Sequence, residues 1–340
     1  MRAGERLRRL GRRSVTIPLY FVCFALALAL LGPGLVLAGA WDLARREPFP
    51  RARCVAFLTF HLGCESAGIL AAGACWAIDV AQRAAGRLDP AASQARLYAL
   101  QWRWATLLYR GTERIFGLRT RVEGDEAGRT GPLLVFCRHV SIGDALLPAV
   151  FLSARHGLRL RTVMKRELLL DPCLDLVGNR LPNRFVRRGA GEGAREAAAL
   201  AALAEGLGPR DGLLLYPEGS RFTRAKHARA VERLEAAGEP ALAAEARALR
   251  HVLPPRLGGA LALLERAPRA DVLFCAHTGL EDAATFRDLW RGSLVGAQVH
   301  VAFWRVAAGE IPRERPAAAR WLFAQWRRVD DWIGRELAAA

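Results

Sequence analysis

The sequence predicts an α/β fold, a mostly parallel sheet flanked by helices, preceded by an N-terminal membrane-embedded helical segment. Three observations predict it. Residues 14–41 carry no charge, a run longer than the ~20 residues a spanning helix needs. From about residue 120, short apolar runs of strand length alternate with Ala/Leu-rich helical runs, the rhythm of a largely parallel sheet. Polar groups able to do chemistry follow two of those strands directly, at His139 and at Glu218. The expected division is an anchor of two apolar helices or a hairpin over 1–80 and an α/β domain over 81–340.

The anchor is read from charge. Residues 2–13 hold six arginines and one Glu, and the uncharged run follows at once. Its length exceeds a signal h-region and no clear cleavage pattern follows, so a retained anchor is expected. Gly32-Pro33-Gly34 is expected to break it. A second apolar stretch, Cys54 to Ile78, contains His61 and Glu65. Such an acid costs roughly 2.5–3.5 kcal/mol at the bilayer centre, so this stretch either spans with Glu65 displaced to one face or dips into one leaflet. Arginines flank both runs, which puts both ends on the cytoplasmic side of the membrane.

Residues 80–116 read as helical, with Trp102, Trp104, Leu107, Leu108 and Tyr109 on one face. Strands are expected at 132–137, near 160–164, and at 212–216, 271–276 and 298–304, with helices at 143–154 and 190–206. Residues 224–252 read as a charged, solvent-facing helical insert. Residues 315–338 read as a last amphipathic helix bearing Trp321, Phe323, Trp326 and Trp332.

The 340 residues carry a formal net charge of +17, from 50 Lys+Arg against 33 Asp+Glu. Only Lys165 and Lys226 are lysines. A basic surface suits nucleic acid, anionic lipid or a phosphate-bearing substrate. There is no helix-turn-helix, RNA-binding motif or zinc finger, so no nucleic-acid partner is expected. The seven cysteines form no C-x-x-C pair and read as small buried residues in a reducing compartment, with neither a zinc spacing nor a disulfide framework.

His139 follows a strand, and Asp144 comes five residues later. A strand-to-helix turn brings such a pair together, the carboxylate orienting the ring and leaving one nitrogen free as a general base. The spacing alone is weak, because His277 and Asp282 repeat it. The combination with Glu218-Gly219-Ser220-Arg221 and with Arg184, Arg187 and Arg188 decides for the first pair. Guanidiniums grip phosphate oxygens through paired hydrogen bonds, and a glycine lets backbone approach a ligand.

These blocks resemble the 1-acylglycerol-3-phosphate acyltransferases and the wider glycerophospholipid acyltransferases, most closely the lysocardiolipin/lysophospholipid acyltransferase-like branch. The matching residues are His139–Asp144, Phe185-Val186-Arg187-Arg188, Tyr216 to Arg221 and the 251–259 stretch HVLPPRLGG. The resemblance covers roughly residues 100–335. It implies a glycerolipid acyltransferase-like fold and direct acyl transfer. His139 would deprotonate a lysophospholipid hydroxyl, which attacks the thioester of acyl-CoA or acyl carrier protein without an acyl-enzyme. Asp144 would orient His139. Arg221 and Arg188, with Arg187 and Lys165, would meet the acceptor phosphate, Glu218 would help fix the acceptor or its arginine, and Gly219 and Ser220 belong to the same substrate-binding turn. No cofactor or metal is implied. The acceptor expected is 1-acyl-sn-glycerol 3-phosphate, giving phosphatidic acid. A lysocardiolipin-like or amino-acid lyso-lipid acceptor and a non-catalytic basic membrane protein are the alternatives. The chain departs from the family pattern at Arg138, where Asn is usual, at Pro182 and at Arg187, changes expected to add positive charge near the acceptor.

Overall fold

The computed structural model describes residues 3–141, 143–186, 193–283 and 285–339, the side chains of 3 and 193–197 excepted. The helices are α1 (Ala3–Ala29), α2 (Leu31–Ala44), α3 (Pro50–Ala84), α4 (Pro90–Phe116), α5 (Leu146–Pro148), α6 (Gly193–Ala204), α7 (Arg224–Ala236), α8 (Pro240–Ala248), α9 (Leu257–Arg266), α10 (Phe286–Trp290) and α11 (Arg315–Ala339). The strands are β1 (Arg119–Glu123), β2 (Leu133–Cys137), β3 (Arg159–Lys165), β4 (Arg184–Val186), β5 (Asp211–Leu215), β6 (Asp271–Thr278) and β7 (Gln298–Val306). They form two compact units: residues 1–118 with 164–187 and 286–297, and residues 119–163 with 188–285 and 298–340.

In the first unit, α1 and α3 are long and apolar enough to cross a membrane by length and composition. The helix break comes at Leu30, just before the Gly-Pro-Gly triplet. Pro33 sits in the first turn of α2, where its missing N–H is not needed. Asp42, fully buried, caps α3: its Oδ2 accepts the N–H groups of Arg51 and Ala52, both at 3.0 Å. Two arginines of the basic head are also occupied. Arg12 Nη2 reaches Asp175 Oδ1 at 2.7 Å and Arg13 Nε reaches Oδ2 at 2.9 Å. On α4 the expected common face divides, since Leu108 and Tyr109 are buried while Leu107 is exposed.

The second unit is built on parallel pairs. β2 lies between β5 and β6 and is parallel to both, and β3 is parallel to β5. β7 runs antiparallel to β6, and β1 is parallel to β7. The sheet order is β1-β7-β6-β2-β5-β3, and β3 enters the first unit at Met164, where β4 is its neighbour. Residues 133–137 of β2 are wholly buried, which is why this strand reads as an unbroken apolar run. Leu134, Phe136 and Phe274 pack with Leu200 of α6, Leu261 and Leu264 of α9, and Leu322, Phe323 and Trp326 of α11.

Two expectations are corrected here. The 224–252 segment is two helices rather than a solvated insert, and Val231, Leu242 and Ala246 belong to the core. The 143–154 helix is irregular, a 3₁₀ turn and a short α-helix passing into π geometry over Ala149–Ala154.

One buried carboxylate fixes the loop that follows α8. Asp330 of α11 accepts the backbone N–H groups of Arg250 (3.0 Å), His251 (2.6 Å) and Val252 (3.1 Å). Trp326 Nε1 donates to Leu253 O at 2.9 Å from the same helix. Asp330→Ala leaves three donors unmet. It should lower unfolding stability by about 3 kcal/mol, read as a shift in denaturant midpoint, whereas Asp331→Ala, on the exposed side of α11, should shift it little.

Candidate active site

The chemistry collects at the C-terminal ends of β2, β5 and β6, where parallel α/β sheets place their ligands. β2 ends at Cys137, and Arg138 N continues the ladder by donating to Cys275 O at 3.0 Å. The chain then leaves the sheet, and the 138–145 turn is organised around one carboxylate. Asp144 is fully buried. Its Oδ2 accepts Val140 N at 2.6 Å and Ser141 N at 2.9 Å. Its Oδ1 accepts Ser141 Oγ at 2.6 Å. Oδ2 also lies 3.0 Å from His139 Nδ1. Nδ1 therefore carries its proton toward Asp144, and Nε2 is the nitrogen left to accept one. The ring is about a quarter exposed and packs on Tyr216, with centroids 4.7 Å apart.

Glu218 ties the second block to the first. It is buried, and its Oε1 accepts His139 N at 2.8 Å while Oε2 accepts Leu253 N at 2.8 Å. Its carboxylate fixes backbone. The turn before it closes through Gly219 N to Tyr216 O at 2.9 Å. Gly219 has φ +66°, a left-handed conformation that favours glycine. Ser220 and Arg221 follow, half-buried.

Arg221 lines a hollow of about 410 Å³ with Val140, Phe222, Thr223, Lys226, Arg250, His251, Glu281 and Thr285, and with the buried Arg138. His139 adjoins it through Val140 and is not itself a lining residue. Lys226, which the motif reading passed over, donates from Nζ to Arg221 O at 3.0 Å. Its signal in the sequence was its rarity as one of two lysines. Lys165 stands exposed at the end of β3 and belongs to the first unit. Arg187 and Arg188 lie outside the described residues.

Two further residues join the site. His277 is fully buried at the end of β6. Its Nε2 lies 3.2 Å from Arg138 O and 3.8 Å from Asp144 Oδ1. Asp282, which shares the His139–Asp144 spacing, is exposed; its neighbour Glu281 instead receives Arg138 Nη1 at 2.5 Å. Arg138 also reaches the carbonyls of His277 and His251. The expected extra positive charge at position 138 is thus paired with Glu281 and spent on holding three segments together.

The electrostatics follow from burial and partners. Burial pushes Asp144 up, but the charge of His277 and the hydrogen bonds from His139 and Ser141 outweigh it and leave it below the usual carboxylate range. His277 is pushed down by burial and carried above its ordinary value by Asp144. Glu218 is pushed up to about 8 by burial, against the pull of its two backbone donors and Arg138. For Glu281, burial raises the carboxyl and Arg138 brings it below the usual range.

Residues 119–258 match the model of the family described as Acyltransferase. A solved structure similar to the chain is the crystal structure of the 1-acyl-sn-glycerophosphate acyltransferase PlsC from Thermotoga maritima, 15% identical, with 74% of this chain and 84% of that one covered at a TM-score of 0.46. No curated protein matches the chain. Residues 119–258 are an Acyltransferase-family domain, which supports an acyltransferase.

Glu218 gives the site a pH signature. Its folded pKa lies above the unfolded carboxylate value, so its contribution to stability is complete below about pH 4.5 and is lost as pH rises through about 8. The denaturation midpoint should fall between about pH 5 and about pH 9, and Glu218→Gln should flatten that fall. An equal slope in both proteins would show that Glu218 does not titrate in this range.

Proposed function

We propose that this acyltransferase moves an acyl chain from acyl-CoA or acyl carrier protein to the free hydroxyl of a lysophospholipid, with 1-acyl-sn-glycerol 3-phosphate as acceptor and phosphatidic acid as product. The observation that carries the reading is the His139–Asp144 pair at 3.0 Å, with Nε2 left as the free nitrogen. His139 Nε2 takes the hydroxyl proton as the oxygen attacks the thioester carbonyl. The tetrahedral intermediate expels the thiolate, which takes the proton from the imidazolium. An ester bond forms, a thioester bond breaks, and no acyl-enzyme is made. Asp144 balances the imidazolium charge.

The hollow beside Val140 supports a phosphate-bearing acceptor. Arg221, Lys226 and Arg250 line it, and guanidiniums match phosphate oxygens geometrically. Gly219 and Ser220 shape its rim, and Glu218 sets the backbone from which Arg221 extends. Arg187, Arg188 and Lys165 remain acceptor contacts in this proposal.

The membrane is where such an acceptor resides. The surfaces of α1, α2 and α3 leave Leu19, Val22, Leu26, Leu37, Leu70 and Trp76 exposed, an apolar area that water does not favour. We place these helices in lipid and the catalytic domain on the cytoplasmic side, where the remaining basic head residues meet anionic lipid.

Labelled acyl-CoA offered with a panel of lyso-lipids tests the proposal. His139→Ala should lower kcat by at least about 10³-fold with the acceptor KM nearly unchanged. Arg221→Ala should raise KM for phosphate-bearing acceptors by about tenfold or more. Transfer by the His139 variant at the parent rate would overturn the mechanism. Equal use of acceptors lacking the phosphate would overturn the substrate class.

A further inference from the structure

We propose that the first compact unit carries a divalent metal site, suited to zinc, on Glu65, Asp171 and Cys173. A carboxylate oxygen of Glu65, one of Asp171 and Sγ of Cys173 all lie within 4.8 Å of one another. Glu65 is fully buried, and among the described residues neither of its carboxylate oxygens has a hydrogen-bond partner. A buried acid is ordinarily paired. Here it faces a second carboxyl and a thiol, three donors that a cation would draw together.

The surroundings are built to hold the three donors. Asp171 Oδ1 accepts Leu174 N at 3.0 Å, which fixes the carboxylate and leaves its other oxygen for the ion, the kind of outer support that metal ligands receive. Gly68 is three residues after Glu65 on α3. A Cβ at Gly68 would fall 2.6 Å from Cys173 Sγ, so the missing side chain is what lets the sulfur lie against the helix. The thiol itself rests 3.3 Å from Glu65 O. His61 comes one helical turn before Glu65 on the same face. Among the described residues its buried Nδ1 has no hydrogen-bond partner.

The donor set chooses among metals. A thiolate beside carboxylates suits zinc, whereas magnesium and calcium take all-oxygen shells. Binding releases the thiol proton, and any proton shared by the carboxyls, to solvent. No electron transfer is involved. The role is structural: the ion would tie α3 to the 166–178 segment of the same unit. The inference does not rest on the acyl-transfer reading.

The test uses the full chain, purified in detergent without chelator. Mass spectrometry of its metals should find about one zinc per chain. After chelation, added cobalt(II) should give a thiolate-to-cobalt charge-transfer band. Cys173→Ser should remove that band, Cys75→Ser should keep it, and Glu65→Gln should weaken cobalt binding by about tenfold or more. A folded, metal-free chain that gives no band with cobalt overturns the proposal and leaves the two acids sharing a proton. So does an undiminished band in Cys173→Ser. Should the variants fail to fold, the zinc content and cobalt spectrum of the unmodified chain decide.

Discussion

The arrangement at the sheet edge depends on the burial of one carboxylate. Asp144 has no exposed surface, and an unmet charge there would be strongly destabilising. Its oxygens are met by the N–H groups of Val140 and Ser141, the Ser141 hydroxyl and the His139 ring, with His277 behind. The donors that satisfy it also set the chain's path after β2, so folding the turn and orienting His139 are one event. In the proposed mechanism, a base positioned in this way needs little reorganisation when it accepts a proton.

Around that turn, buried side-chain hydrogen bonds hold the loops. Glu218 joins the end of β5 to the His139 backbone and to Leu253. Arg138 joins the end of β2 to the carbonyls of His277 and His251 and to Glu281. Asp330 holds the 250–252 loop from α11. Three buried polar side chains thus bind loops from distant parts of the sequence to one edge of the sheet. Positions of that kind tolerate truncation poorly, because each removal strands a partner.

Much of this was legible in the sequence for identifiable reasons. β2, β5 and β6 could be read because burial on both faces leaves continuous apolar runs. The break in the first long helix was read two residues late, since a proline acts on the turn it begins rather than at its own position. The 224–252 segment misled because its charged residues outnumber the few small ones, such as Ala243 and Ala246, that reach the core. The His139–Asp144 pairing was visible as a local motif. The roles of Arg138, His277 and Glu281 were not, because each is defined by a partner more than a hundred residues away. The same holds for Glu65 and Cys173, 108 positions apart, which no cysteine spacing could reveal. Glu218 stood out in the sequence as an acceptor contact, while its two oxygens meet backbone N–H groups.

The central claim is that His139 and Asp144 act as one base. A double-mutant cycle on the transfer rate tests it most directly, with His139→Ala, Asp144→Asn and the double variant compared under single-turnover conditions. The account predicts that the double variant retains the same residual rate as His139→Ala alone, because Asp144 has nothing to contribute once the imidazole is gone. Losses that multiply, as for two independent groups, would contradict it.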